Sequence, residues 1–341
     1  MRRLAACAAL SLSLYFLLFG LVLDRPLSLE PLRLELLWKA GRLAALPSPK
    51  LVIIAGSNGP YSHSCAVIGP MLGLACENAG IAVGIGLDEI FTRYAPALRP
   101  GDIVYMPMEL EQYAMTRAEY NALVDGALLL RHDKTNLATL PPGRVAGALF
   151  CCTLGDALEA LVEMPLAALH WQNPAAMLAR QYNAEGDRVD NLAAGADAAL
   201  LSGPARAAPS AAEIQNGYGA WLIARFVAQE RARGIRIIGG WPVDFTDARV
   251  SAAARAAVLR VYGGDFLNLP GQSLYPRADF FNSEDHLARP FQIRHSITIA
   301  LGLAGMLGRK PAPPDETIKA LAWNGSPSEA SPFKPGHQSS P

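Results

Sequence analysis

Net charge is what this 341-residue chain lacks most plainly. Its 30 basic and 30 acidic side chains cancel, so no long-range field draws it to nucleic acid or to an anionic surface, and no nucleic-acid partner is expected. Charge of either sign is also scarce, at 18% against the roughly 25% of an ordinary soluble domain. Five cysteines do not make a disulfide framework, and the adjacent pair Cys151 and Cys152 lacks the spacing of a zinc ligand set. Neither G-x-G-x-x-G nor G-x-x-x-x-G-K-[ST] occurs, which argues against a dinucleotide or nucleotide site. No internal repeat is present, and neither a metal nor a cofactor is implied.

Apolar sequence is abundant, at 51%. Part of it is one run, Leu4 to Leu23 (LAACAALSLSLYFLLFGLVL), with no charge in twenty residues, between Met1-Arg2-Arg3 and Asp24-Arg25-Pro26. A helix of that length just spans a hydrocarbon core of about 30 Å. The positive-inside rule keeps Arg2 and Arg3 cytoplasmic and exports the rest. No small-x-small site follows Leu23, which favours an uncleaved signal anchor over residues 1–26 rather than a cleaved signal. The expected address is therefore the inner membrane, single-pass, with the main domain periplasmic. Residues 27–48 have leucines at near-helical spacing and read as a stalk or linker helix. It either lies on the membrane or packs as an ordinary first helix, and the second is the commoner arrangement. Residues 309–341, rich in Pro and Ser, read as a disordered tail.

Between them, residues 49–308 read as one α/β domain. Lys50-Leu-Val-Ile-Ile-Ala-Gly-Ser-Asn-Gly is an apolar run ending in a Gly-rich turn, the pattern of a buried parallel strand. Cys65 to Ala79 has helical spacing, and Ile81 to Ile85 predicts a second strand. Asp102 to Met108 predicts a third. Ala211 to Arg233 predicts a helix, followed at Gly234 by a fourth strand (Ile235-Arg-Ile-Ile-Gly-Gly-Trp-Pro). Pro290 to Leu307 predicts a closing helix. Alternating strands and helices predict a three-layer α/β/α sandwich with a mostly parallel sheet. Residues of about 131–210 read as a helical insertion.

In such sheets chemistry gathers at the carboxyl ends of the strands. Ser57 lies in the turn after the first strand, where it reads either as an exposed nucleophile or as the N-cap of the next helix. Among six histidines, His286 has the context of a base, in a polar loop (Asp279-Phe-Phe-Asn-Ser-Glu-Asp-His-Leu) before the closing helix. His63 lies on the helix side of the turn, and His132, His170, His295 and His337 lack comparable context. Glu109 and Glu111 are a carboxylate pair with a weak glycosidase pattern. Trp171, Trp221 and Trp241 are candidate sugar-stacking rings, with packing the ordinary role. In an oxidising compartment Cys151 and Cys152 have Cys65 or Cys76 as candidate disulfide partners.

Gly56-Ser57-Asn58, Asn78-Ala-Gly-Ile-Ala-Val-Gly, Arg99-Pro100-Gly101-Asp102, Gly-Ile-Arg-Ile-Ile-Gly-Gly-Trp-Pro and the late Asp-His-Leu together resemble the SGNH/GDSL hydrolase superfamily. The likeness is greatest to its membrane-anchored branch associated with bacterial exopolysaccharide acylation, of cellulose or alginate type. That resemblance implies Ser57 as nucleophile, His286 as general base, and an oxyanion hole from the Ser57 amide and Gly84 or a neighbouring glycine. Two departures stand out. The third block, which usually supplies an oxyanion-hole asparagine, reads Met108-Glu109-Leu110-Glu111-Gln112, and the usual aspartate three residues before the histidine is Ser283. Asp285, Asp279 and Asn282 remain to orient His286. The implied activity is a serine esterase or O-acyltransferase moving acyl groups, acetyl above all, on an extracellular polysaccharide or acylated sugar. A transferase would need an acyl-passing membrane protein as partner. The alternative is a catalytically degenerate accessory protein that binds glycan or scaffolds a synthesis complex.

Overall fold

Short apolar runs ending in glycine turns pair side by side at the centre of the computed structural model, which describes residues 1–22, 29–123, 138, 140–150, 153, 155, 158, 161–162 and 173–323. The strands are β1 (Lys50–Ile53), β2 (Ala75–Asn78), β3 (Ile103–Met106), β4 (Arg236–Gly240), β5 (Asp244–Phe245), β6 (Phe266–Leu267), β7 (Leu274–Tyr275), β8 (Phe280–Ser283) and β9 (His286–Leu287). Five form one sheet in the order β2-β1-β3-β4-β6, every pair parallel. β8 and β9 make a separate antiparallel hairpin that delivers the late loop.

Strand side chains alternate between faces, and each face has its own core. Val52, Ile54, Val104, Met106 and Ile237 pack with the helices Leu29–Ala45, Leu87–Tyr94, Tyr218–Ala232 and Ala252–Val261. Leu51, Ile53, Ile103, Tyr105 and Ile238 pack with the helices Cys65–Leu72 and Arg289–Leu307. The chain is therefore α/β, in three layers. At the start of β1 and β3 the fully buried Lys50 and Asp102 close an ion pair at 2.8 Å, and the Lys50 N–H also donates to that carboxylate.

The second strand differs from expectation. β2 is Ala75–Asn78, and Val83–Ile85 is a 3-10 turn. The helix before β2 stops at Leu72 because Gly73 takes φ +63°, a left-handed cap. Glu77 and Asn78 hide β2 in the sequence, since both are polar yet fully buried. Arg42 pairs with Glu77, and the Asn78 side chain donates to the carbonyls of Gly59 and His63.

The expected helix 211–233 is two helices, Ala211–Asn216 and Tyr218–Ala232, divided at Gly217. A Cβ at Gly217 would collide with the Tyr113 carbonyl, so the break is a close backbone approach. Leu36 and Leu43 are buried, so the helix Leu29–Ala45 packs on the domain as an ordinary first helix. The tail is also corrected in part: Glu316–Trp323 is a helix whose Ala322 is buried against the helix Arg289–Leu307.

The insertion contributes Asp187, fully buried, whose carboxylate accepts from the N–H groups of Cys65 and Ala66 and from Ser64 Oγ. It thereby satisfies the orphan donors at the start of the helix Cys65–Leu72. Cys65 and Cys76 bond to each other. The partners considered for them, Cys151 and Cys152, lie outside the described residues, as do Trp171, His132, His170 and His337. The helix Arg2–Val22 is exposed at most described positions. Among the described residues no helix is long and apolar enough to cross a membrane. The expected span Leu4 to Leu23 lies partly outside them.

The disulfide closes a loop of separation 11 that holds the helix Cys65–Leu72 against β2. On a chain-entropy basis its removal costs about 3 kcal/mol. A C65A/C76A variant is expected to melt several degrees below the wild type in a circular-dichroism thermal scan, and an unchanged midpoint would refute the contribution.

Candidate active site

The order β2-β1-β3 places a switch point between β1 and β3, where the crevice of an open α/β sheet forms. Ser57 follows β1 and Glu109 follows β3, so both stand at that crevice. Ser57 has φ −64° and ψ −23° and begins the helix Asn58–Ser62, but its side chain makes no capping bond. The N-cap role is thus not the one its hydroxyl plays. Ser57 is half-buried, and no described residue bonds its Oγ or its backbone N–H.

His286 reaches the same place from the opposite direction. Tyr61 lies one helical turn after Ser57, its N–H donating to the Ser57 carbonyl at 3.2 Å, so the two side chains share a helix face. The His286 ring stacks on Tyr61 with centroids 3.7 Å apart and planes within 12°. Ser62 clips the loop down: its Oγ donates to the Asp285 carbonyl at 2.8 Å and accepts the Leu287 N–H at 3.2 Å. Of these two, only Tyr61 has a helical spacing from Ser57 that the sequence could show, and nothing in the sequence marks Ser62.

His286 Nδ1 lies 2.7 Å from Asn282 Oδ1. With Nδ1–H donated there, Nε2 carries the lone pair, which is the tautomer a general base needs. That Nε2 is buried and has no partner among the described residues, Ser57 included. Burial, with the Arg188 guanidinium second, pushes the His286 pKa down to about 3. The ring is therefore neutral throughout the physiological range.

Asp285 is not the orienting acid. Its carboxylate faces Arg206 at 3.9 Å, and burial, then Glu111 and Glu109, push its pKa well above the ordinary range. Adjacency to His286 turns it to the other side of the loop. Asp279 does not contact the ring either, and burial pushes its pKa up to about 6. Asn282 is the group that orients His286.

Gly84 sits in the turn Val83–Ile85 without a bond to Ser57. Its neighbour Val83 closes on Gly56, where a Cβ would overlap both Val83 Cγ1 and the Glu109 carboxylate. Gly80, the neighbouring glycine, packs beneath the turn against Gly59 and Pro60. Glu109 accepts the N–H of Gly56 at 2.8 Å and of Asn58 at 2.9 Å. Glu111 instead pairs with Arg206, so the two glutamates do not form a glycosidase pair across a cleft.

The remaining candidates are structural. His63 and His295 are fully buried with their Nε2 atoms 3.3 Å apart, and His295 Nδ1 meets the Tyr275 hydroxyl at 2.6 Å. Trp241 is buried and donates to Asn268 Oδ1 at 2.9 Å. Trp221 is exposed, stacked on Tyr218 and flanked by Arg225. Two adjoining hollows sharing Leu110, Pro242 and Asp244 lead from Asp285 toward Trp241, Arg249 and Arg255. No metal-binding cluster of His, Cys, Asp and Glu occurs among the described residues.

If Asn282 sets the tautomer of His286, an N282L variant should react with a fluorophosphonate at Ser57 at least about ten-fold more slowly than the wild type, while N282D retains the rate. Equal rates for a folded N282L would remove Asn282 from this role. No protein-family model, curated protein or solved structure matches the chain.

Proposed function

We propose that the protein is an exported, membrane-anchored serine esterase or O-acyltransferase of SGNH-hydrolase type, acting on acyl esters of an extracellular polysaccharide. The observation that carries this reading is Tyr61, whose N–H donates to the Ser57 carbonyl and whose ring stacks on a neutral His286 with Nδ1 engaged by Asn282 and Nε2 without a partner among the described residues. Ser57 Oγ attacks the acyl carbonyl as its proton passes to His286 Nε2. The free Ser57 N–H donates to the oxyanion. His286 returns the proton to the leaving sugar oxygen, and water or a second hydroxyl, deprotonated by the same nitrogen, releases the acyl group.

Export is supported by the Cys65–Cys76 disulfide, since such bonds persist in oxidising compartments. Anchoring rests on the uncharged run from Leu4 to Leu23. The carboxylates of Glu111, Asp244, Glu284 and Asp285, along the hollow on the Arg206 side of the β8–β9 turn, suit the hydroxyls of a sugar chain as acceptors. An acyl-passing membrane protein is the partner a transferase of this kind requires.

A second reading, a glycan-binding or scaffolding relative without catalysis, is favoured by one observation: Ser57 and His286 are not hydrogen-bonded to each other. The two are separated by incubating the detergent-solubilised full chain with a fluorophosphonate and 4-nitrophenyl acetate. Labelling at Ser57 and ester hydrolysis abolished by S57A are expected. A folded wild type inert to both reagents would sink the enzyme and leave the scaffold.

A further inference from the structure

Glu109 is only 1% exposed, yet the esterase reading gives it no chemical step. Its two oxygens hold the residues on either side of Ser57, Oε2 accepting from Gly56 and Oε1 from Asn58. Its own N–H donates to Gln112 Oε1 at 3.2 Å, which fixes the carboxylate from behind. Gly56 leaves room for the carboxylate, since a Cβ there would overlap both it and Val83 Cγ1. An ionised carboxylate offers a full acceptor oxygen to each N–H, whereas a primary amide presents an NH2 donor to one of them and protonation of the acid weakens one oxygen as an acceptor.

We propose that Glu109 is the positioning residue of the nucleophile turn, holding both amides that flank Ser57 so that its free N–H and hydroxyl face the substrate, and that loss of either bond slows Ser57. This rests on the reading of Ser57 as nucleophile. The charged and titratable groups facing Glu109 are Glu111 from its own turn, with Arg206 beyond it, Tyr113 from the following helix, and Asp285 from the β8–β9 turn. Burial first and Glu111 second push the Glu109 carboxyl up to about 7, against the pull of the two amides. His286 is held near 3. As pH falls through 7, Glu109 takes up a proton while His286 remains a neutral base, so the acid limb of Ser57 reactivity belongs to the glutamate.

The test uses the full chain in detergent between about pH 5 and 9. It measures fluorophosphonate labelling of Ser57 in wild type and Glu109→Gln, the melting midpoint of each, and hydrogen exchange of wild-type residues 54–62 corrected for intrinsic rates. Wild-type labelling is expected to rise about ten-fold or more through a midpoint near 7, with exchange protection rising in parallel. E109Q is expected to label slowly and without that midpoint, which a merely structural role would leave in place. A folded E109Q with wild-type rate and profile overturns the proposal, and so does wild-type protection that is flat with pH. If E109Q does not fold, the wild-type exchange profile decides. Labelling absent in wild type overturns the nucleophile reading and this proposal with it, whereas labelling with an unchanged E109Q overturns this proposal alone.

Discussion

The side chain of Asn58, fully buried, ties the carboxyl ends of three strands into one unit. Its amide donates to the Pro107 carbonyl after β3 at 2.8 Å, its Oδ1 accepts the Val243 N–H after β4 at 3.4 Å, and its own backbone N–H ends on Glu109. Buried polar groups satisfied in this way specify a single arrangement, because any alternative leaves a donor or acceptor without water. Ser57 precedes this residue and Tyr61 follows it by three, so Ser57 and the platform under His286 are both positioned by strand ends.

Electrostatically the site has two halves. Around His286 the protein removes water and adds the Arg188 guanidinium, which itself is held bidentate by Asp190 at 2.8 and 2.6 Å and lies over the Tyr61 ring. Across the loop, Glu111, Glu284 and Asp285 gather around Arg206, and burial raises Asp244 to about 6. The β8–β9 turn separates them: Asn282 and His286 face Tyr61, while Glu284 and Asp285 face the acidic side. Glu284 and Asp285 form the tip of the turn, whereas His286 already pairs with Ser283 in the hairpin, so Asp285 and His286 serve different halves.

How far the sequence alone revealed this follows the polarity of each segment. β1, β3 and β4 are continuous apolar runs bounded by Gly or Pro, and the closing helix has the expected apolar spacing, so all four are legible. β2 is not, because its Glu77 and Asn78 are buried by partners far away in the chain, Arg42 and Asp187 among them. Gly217 looks like one more small residue in a helix until the Tyr113 carbonyl is seen against it. At the candidate site, the places of Ser57 after β1 and of His286 before the closing helix are legible from position alone. Glu109 reads as a defect in the third block, and its role emerges only when β1 and β3 are placed side by side. Asn282 over Asp285 is decided by which way the hairpin turns, and no spacing rule contains that.

β2 is one of the two edge strands of the sheet, and an open strand edge is a template for pairing with another chain. Here the strand is four residues long, carries a buried carboxylate, and is stapled through Cys76 to the helix beside it. At its end the Asn78 N–H donates to the Glu185 carbonyl of the insertion. The insertion therefore serves as a cover: a chain that folded without it would expose a strand edge close to the turn that carries Ser57, open to self-association at that end of the sheet.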